Sequence, residues 1–156
     1  TSLACNHVTE VPLARWDAQQ LPANANPAAL HGAKHGAFVE AVHLFAHLHF
    51  HVSKAEASVM DPQQRLVLEQ SYAAFHGAGC DKGALHGSDT GVALGIYATE
   101  FRQVLEQRGQ HLSVYASTGT TLSIACGRVS FVLGLHGPCA AFETACSASL
   151  VACHSA

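Results

Sequence analysis

The chain has 156 residues, of which 49% are hydrophobic and 12% charged, with a formal net charge of −3. That is ample apolar material for the core of one domain of ordinary size, and it excludes a disordered chain. Lys and Arg form no cluster, so the footprint of a nucleic-acid or acidic-membrane partner is missing, and no apolar run reaches the roughly 20 residues of a spanning helix.

The N-terminal Thr1-Ser2-Leu3 has no basic region followed by an apolar one, so no secretory signal is expected. The only Met is Met60, and the sequence stops abruptly at Ala156, so a piece of a longer protein is expected. Six cysteines stand at positions 5, 80, 126, 139, 146 and 153 without a CxxC pair or zinc-finger spacing. Free thiols in a reducing compartment follow, which places the protein in the cytoplasm or an organelle interior and not outside the cell.

Residues 1–35 are rich in Ala, Asn, Pro and His and read as irregular surface with one short helical turn. Residues 36–58 read as a loop-rich region anchored by Phe38, Val42, Phe45, Leu48 and Phe50. At Asp61 a helix begins. Asp61 suits the N-cap, Pro62 suits the first helical position, and Gln64 is placed for a capping box. Leu68, Tyr72 and Phe75 recur at helical spacing before Gly77 and Gly79 end the run.

GVALGIY, residues 91–97, is an unbroken apolar run and predicts a strand buried on both faces. A second helix follows, with Thr99 as its cap, Phe101, Val104 and Leu105 on its apolar side, and Gly109 as its stop. Residues 118–134 predict one continuous helix whose small residues (Gly119, Ser123, Ala125, Cys126, Gly127, Ser130) let it approach its neighbours closely. Gly137-Pro138 turns the chain, residues 139–144 form a second strand, and residues from Ser147 onward are helical. Helix alternating with strand predicts a layered α/β domain with a mainly parallel sheet.

The junction Thr144-Ala145-Cys146-Ser147 carries the chemistry. A buried strand ends there and a helix starts at or near Cys146. Unpaired N–H groups and the dipole at a helix start favour negative charge. A cysteine so placed has an accessible thiolate, suited to attack on a thioester, and the same N–H groups at Ala145 and Ser147 can hold the resulting oxyanion. Ala145, Ser147 and Ala148 are small enough to leave room for an acyl chain. On spacing alone, a nucleophile and a small buried core residue remain two open readings.

GPCAAFETACSASLVA, residues 137–152, resembles the active-site segment of β-ketoacyl synthases, usually written around DTACSSSL. TGTTLSIACGRVSFVLGL, residues 118–135, is similar to the helix that precedes it, and MDPQQRLVLE, residues 60–69, to another signature of the family. VPLARWD, residues 11–17, is similar to the opening segment of the polyketide-synthase branch. These motifs cover nearly the whole chain in the family's order.

The resemblance implies the thiolase-like fold, present here as part of the N-terminal half. Cys146 would accept the growing acyl chain from the phosphopantetheine arm of an acyl carrier protein. The complete domain would join that chain to a malonyl-type extender by decarboxylative Claisen condensation, as a homodimer with the strand around Cys139 to Phe142 near the two-fold axis. No metal or other cofactor bound by the domain itself is implied, since the phosphopantetheine belongs to the carrier.

Family motifs resembling HGTGT and NIGHxEAAAG, which supply two catalytic histidines, do not occur in residues 1–156, and the family's first strand is also expected to be missing. The fragment alone would at most be acylated. Glu143 stands where the family usually has Asp, and Ala148 where it has Ser. The extra methylene of Glu143 is expected to strain a tightly packed turn. Two further readings stand beside this one. The first is a non-catalytic ketosynthase-like module that binds acyl carriers or serves as scaffold, and the second is a fatty-acid synthase ketosynthase.

The other candidates have plainer readings. His43, His47, His49 and His51 could suggest a metal, but helical and strand spacing cannot both hold, and surface drift explains them better. Cys139 and Cys153 are expected to be packing residues. His154 lies about 12 Å along a helix from Cys146 by helix rise, too far to act as its base. Arg65 is expected to brace the loop by a salt bridge or hydrogen bonds, and Arg128 to be a paired internal charge.

Overall fold

The structure is a computed structural model and describes residues 6–17, 20, 26–97 and 100–156. Contacts divide the chain into two units, residues 1–42 and 43–156.

In the first unit, β1 (Val8–Glu10) pairs antiparallel with β2 (His35–Ala37), with Val8 opposite Ala37 and Glu10 opposite His35. The expected helical turn is α1 (Pro27–Gly32), where the Asn26 side chain accepts from the Ala28 N–H at 2.9 Å. The strand pair was not expected from sequence. Three-residue strands are too short to show alternation. Within the VPLARWD segment, Trp16 meets Phe38 edge-on at 5.8 Å and the Arg15 guanidinium lies 6.0 Å above the same ring.

The second unit begins with turns. Phe50 is buried and stacks on Phe45 at 5.5 Å, as expected of anchors, but Leu48 is 78% exposed and anchors nothing. His47 Nδ1 contacts the Val52 carbonyl at 2.8 Å, and His49 meets both Phe50 and Tyr72 edge-on. These residues form turns, so neither the helical nor the strand spacing of the histidines applies. A short helix, α2 (Lys54–Val59), occupies part of the expected loop, capped by Ser53 Oγ, which accepts from the Glu56 N–H.

The helix at Asp61 is α3 (Pro62–Gly77), with Asp61 Oδ1 accepting from the Gln63 N–H at 2.7 Å. The expected capping box is absent. Gln64 is 3% exposed and turns inward, donating from Nε2 to the carbonyls of Thr118 and Thr121, each at 3.1 Å.

A one-turn α4 (Lys82–Leu85) leads to β3 (Val92–Gly95), then α5 (Phe101–Gln107). The proposed cap Thr99 lies outside the described residues. Residues 118–134 form two helices, α6 (Ala116–Thr120) and α7 (Leu122–Leu133), because Thr121 is extended at φ −87°, ψ 126°. Gln64 bonds the carbonyls on either side of this break. The first strand of the run and the last, β4 (Cys139–Phe142), pair parallel, with Val92 opposite Cys139 and Gly95 opposite Phe142. β3 is half-buried along its length instead of buried on both faces, because among the described residues it pairs with β4 alone.

Strand alternation sorts the packing. Val92 joins the core of Phe50, Val52, Met60, Leu68, Leu85, Val129, Leu133 and Leu135, so this face meets α7 and α3. Gly95 faces the other way, against α8 (Ala148–Ser155), whose backbone it approaches too closely for any side chain. Leu68 and Met60 are fully buried at the centre.

Candidate functional site

β4 ends at Phe142, and the chain turns through Glu143 and Thr144 into a 3₁₀ turn over Ala145–Ser147 before α8 begins at Ala148. Cys146 therefore lies in the 3₁₀ turn, two residues ahead of the α-helix. Ala145 holds the left-handed conformation, φ +52°, which L side chains adopt at a cost of about 1–2 kcal/mol. Such a kink throws the next residue outward, and Cys146 is exposed.

Ser147 fixes the turn. Its N–H donates to the Thr144 carbonyl at 3.2 Å, and its hydroxyl lies 2.7 Å from that carbonyl and 2.9 Å from Thr144 Oγ1. The Ala148 N–H is taken by the Ala145 carbonyl. Ser147 is thus a turn residue and not an oxyanion donor, since its N–H is already committed. Ala148 is 4% exposed and packs beneath β3, so its small size serves the strand–helix contact and not an acyl chain.

Glu143 is exposed, so its extra methylene strains no packed turn. It borders a cleft of about 470 Å³ with Ile96, Thr120, Thr121, Leu122, Ser123 and Ala141. The cleft joins the end of β4 to the break between α6 and α7.

The other motif residues lie apart from the turn and hold α3 in place. Asp61 is 5% exposed, caps α3, and sends its own N–H to the Gly119 carbonyl at 2.8 Å. Burial pushes its carboxyl upward, against the opposing pull of hydrogen bonds from Gln63 and the charge of Arg65. Pro62 follows as the first residue of the helix. Burial pulls the Arg65 guanidinium downward, while Asp61 and Glu69 oppose this. The expected brace from Arg65 is not formed: its buried Nε has no hydrogen-bond partner, and among the described residues it makes no ion pair.

Arg128 is the paired internal charge expected of it. Its Nη1 meets Glu56 Oε1 and its Nε donates to Gln64 Oε1 at 3.1 Å. The Glu56–Arg128–Gln64 chain ties α2, α3 and α7 to the break at Thr121. No sequence signal marked Gln64 as its hub. Cys139 and Cys153 are both exposed, and His154 is exposed on the last turn of α8.

The model of the β-ketoacyl synthase N-terminal domain matches residues 4–156. The chain belongs to the β-ketoacyl synthase family. It is 40% identical over 153 residues to a phenolphthiocerol/phthiocerol polyketide synthase of Mycobacterium tuberculosis, covering 97% of this chain and 10% of that one. With erythronolide synthase EryA3 of Saccharopolyspora erythraea it shares 43% identity over 155 residues, 96% of this chain and 5% of the relative.

Among solved structures, it superposes on a ketosynthase from module 6 of the Bacillus subtilis bacillaene synthase with TM-score 0.75 at 31% identity, covering 96% of this chain and 22% of that one. An oxazolomycin ketosynthase domain of Streptomyces albus gives TM-score 0.79 at 32% identity, covering 96% and 26%. The fold is thus the α/β, thiolase-like fold of ketosynthases, and the chain spans about a tenth or less of these polyketide synthases and about a quarter of these ketosynthase structures. Among the described residues no helix is long and apolar enough to cross a membrane.

Proposed function

We propose that the chain is the front part of a ketosynthase domain of a polyketide synthase, with Cys146 as its acyl acceptor. The observation that carries this is the exposed thiol of Cys146 on a strand–turn–helix junction, inside a segment that belongs to the ketosynthase family.

The Cys146 sulfur, as thiolate, attacks the carbonyl carbon of an acyl thioester on a carrier protein's phosphopantetheine arm. A new carbon–sulfur bond forms, the carbonyl oxygen becomes an oxyanion, and its collapse expels the pantetheine thiolate, which takes up a proton. Thr144 and Ala145 bear the O=C groups that engage the Ser147 and Ala148 N–H groups, whereas the Cys146 N–H has no bond to a described residue. That N–H is the donor we assign to the oxyanion. Condensation with a malonyl-type extender would belong to a complete domain carrying the family's two histidine motifs, neither of which occurs in residues 1–156. The phosphopantetheine stays on the carrier, and this part of the domain brings no cofactor of its own.

Resemblance also supports a homodimer with β4 near the two-fold axis, where Cys139 and Ala140 are exposed. A reducing interior, cytoplasm or organelle, fits the free thiols.

Intact-mass analysis after incubation with an acyl thioester tests the assignment. One acyl group on the parent chain and none on Cys146→Ala supports it. Because Cys139 and Cys153 are exposed too, the adduct is mapped to its peptide. Acylation that persists in Cys146→Ala refutes the assignment, and a folded chain with no acylation at all points to a site completed by the rest of the domain.

A further inference from the structure

Cys146 stands between two residues that hold each other. Thr144 and Ser147 make three contacts across the Ala145-Cys146 pair. The Ser147 N–H donates to the Thr144 carbonyl at 3.2 Å, and the Ser147 hydroxyl lies 2.7 Å from that carbonyl and 2.9 Å from Thr144 Oγ1. Proton counting orders these contacts. A carbonyl oxygen has two lone pairs and no proton, so the Thr144 carbonyl accepts from both the N–H and the hydroxyl of Ser147. That uses the single Ser147 hydroxyl proton. The 2.9 Å contact is then a donation from the Thr144 hydroxyl to Ser147 Oγ. Each hydroxyl has one direction, and neither side chain can turn without breaking a bond to the other.

The backbone inside this pair needs holding. Ala145 lies at φ +52°, and Thr144, at φ −126° and ψ 39°, is in neither the helical nor the extended region. Such conformations persist only where the surroundings over-determine them. Thr144, Ala145, Cys146 and Ser147 are all exposed, so burial of their side chains does not supply the constraint. The bonds that span the turn are those between Thr144 and Ser147, together with the Ala148 N–H on the Ala145 carbonyl.

We propose that Thr144 and Ser147 are positioning residues for acyl transfer at Cys146, acting through a reciprocal hydroxyl pair that fixes where the Cys146 sulfur and N–H point. This rests on the reading of Cys146 as acyl acceptor, with its own N–H as the oxyanion donor. Attack on a carbonyl needs both groups at once. The sulfur forms the bond to carbon while the N–H receives the charge that develops on oxygen. Displacement of iodide from iodoacetamide needs the sulfur alone. Loosening the pair therefore slows acylation and spares alkylation, whereas loss of thiol exposure or of the thiolate would slow both.

The acyl probe is p-nitrophenyl acetate, which needs neither a carrier protein nor further parts of a domain. The Cys146 thiolate attacks its ester carbonyl, a carbon–sulfur bond forms, and p-nitrophenolate leaves. A Glu-specific protease releases residues 144–156 as one peptide, in which tandem mass spectrometry separates an adduct on Cys146 from one on Cys153. The quantity read is the rate of acetylation divided by the rate of alkylation at Cys146. In the folded parent this ratio should exceed that of the free peptide 144–156 by about tenfold. Thr144→Val and Ser147→Ala should each lower it close to the peptide's value, and the double variant should lose no more than either alone. Thr144→Ser, which keeps the hydroxyl, should retain the parent's ratio. Circular dichroism checks that each variant is folded. The proposal is overturned if Thr144→Val keeps the parent's ratio, if the parent does not exceed the peptide, or if the two single losses add. The acyl-acceptor reading fails on a different result, acylation by an acyl thioester that persists in Cys146→Ala.

Discussion

A methyl group placed on Gly95 would lie 2.4 Å from the carbonyl carbon of Ala148 and 2.4 Å from the amide nitrogen of Ser149. Both are backbone atoms of the first turn of α8, so no side-chain movement can make room. The last residue of β3 is therefore what allows the helix after Cys146 to sit against the sheet.

Gly95→Ala is accordingly expected to lower stability by about 3 kcal/mol, at the upper end of overpacking costs, and to shift the 3₁₀ turn that presents Cys146. Urea unfolding measures the first effect and the rate of acylation by a thioester the second. An unchanged unfolding midpoint would show that β3 and α8 are not packed this closely.

Much of the second unit was legible because its signals are local. Asp61 and Pro62 start a helix for reasons contained in two residues, and the Gly-Pro pair at 137–138 separates helix from strand without reference to the rest of the chain. The break at Thr121 was not legible. Residues 118–134 have helical composition throughout, and the extended Thr121 is stabilised by Gln64, which is more than fifty residues away in sequence. Cys146 was singled out by motif and junction together, but nothing in the neighbouring residues marks the αL conformation of Ala145, and the role of Ala148 depends on Gly95, more than fifty residues away. Leu48 misled because an apolar residue in a loop carries no period that tells which way it points.

Arg128 is 10% exposed at its side chain and Glu56 22%. Removing one partner of such a pair leaves the other partly buried and unpaired, at a cost of about 3 kcal/mol or more. Arg128→Ala should lose that much by urea unfolding, since Gln64 also loses its donor. Arg128→Lys should recover only part, because an ammonium cannot reproduce the guanidinium fork that serves Glu56 and Gln64 together. Full recovery by Lys would mean that charge alone matters there.

Asp61 gives a pH test. Its carboxyl is raised above 3.8 chiefly by burial, with Glu100 adding to the rise and Gln63 and Arg65 opposing it. The folded state therefore holds this proton more tightly than the unfolded state. The stabilisation is fully present below the unfolded value and is lost as pH rises through the folded value. Asp61→Asn keeps a side-chain oxygen for the Gln63 N–H but removes the titration, and Asn caps about as well as Asp. The variant should thus gain stability relative to the parent as pH rises from about 4 toward neutrality. Urea midpoints of both chains across that range would sink the assignment if the difference were flat or ran the other way.

Ala145 is the last and most direct handle on the Cys146 turn. At φ +52° a Cβ costs about 1–2 kcal/mol, and a β-branched side chain costs more because its branches crowd the backbone in that conformation. Ala145→Gly removes the cost but makes the unfolded chain more flexible by roughly 0.4–1 kcal/mol, so a net gain of about 0.5 kcal/mol is expected. Ala145→Val should lose about 1–2 kcal/mol and slow acylation at Cys146, because the residue would pull the turn toward extended backbone and carry the thiol with it. Thermal unfolding and acylation rates measured on both variants separate two models of the junction. If Val is as well tolerated as Gly, Ala145 does not hold the left-handed conformation and Cys146 is presented by some other geometry. If Gly stabilises and Val destabilises, the strain at Ala145 is real, and it is what turns the Cys146 thiol outward from the end of β4.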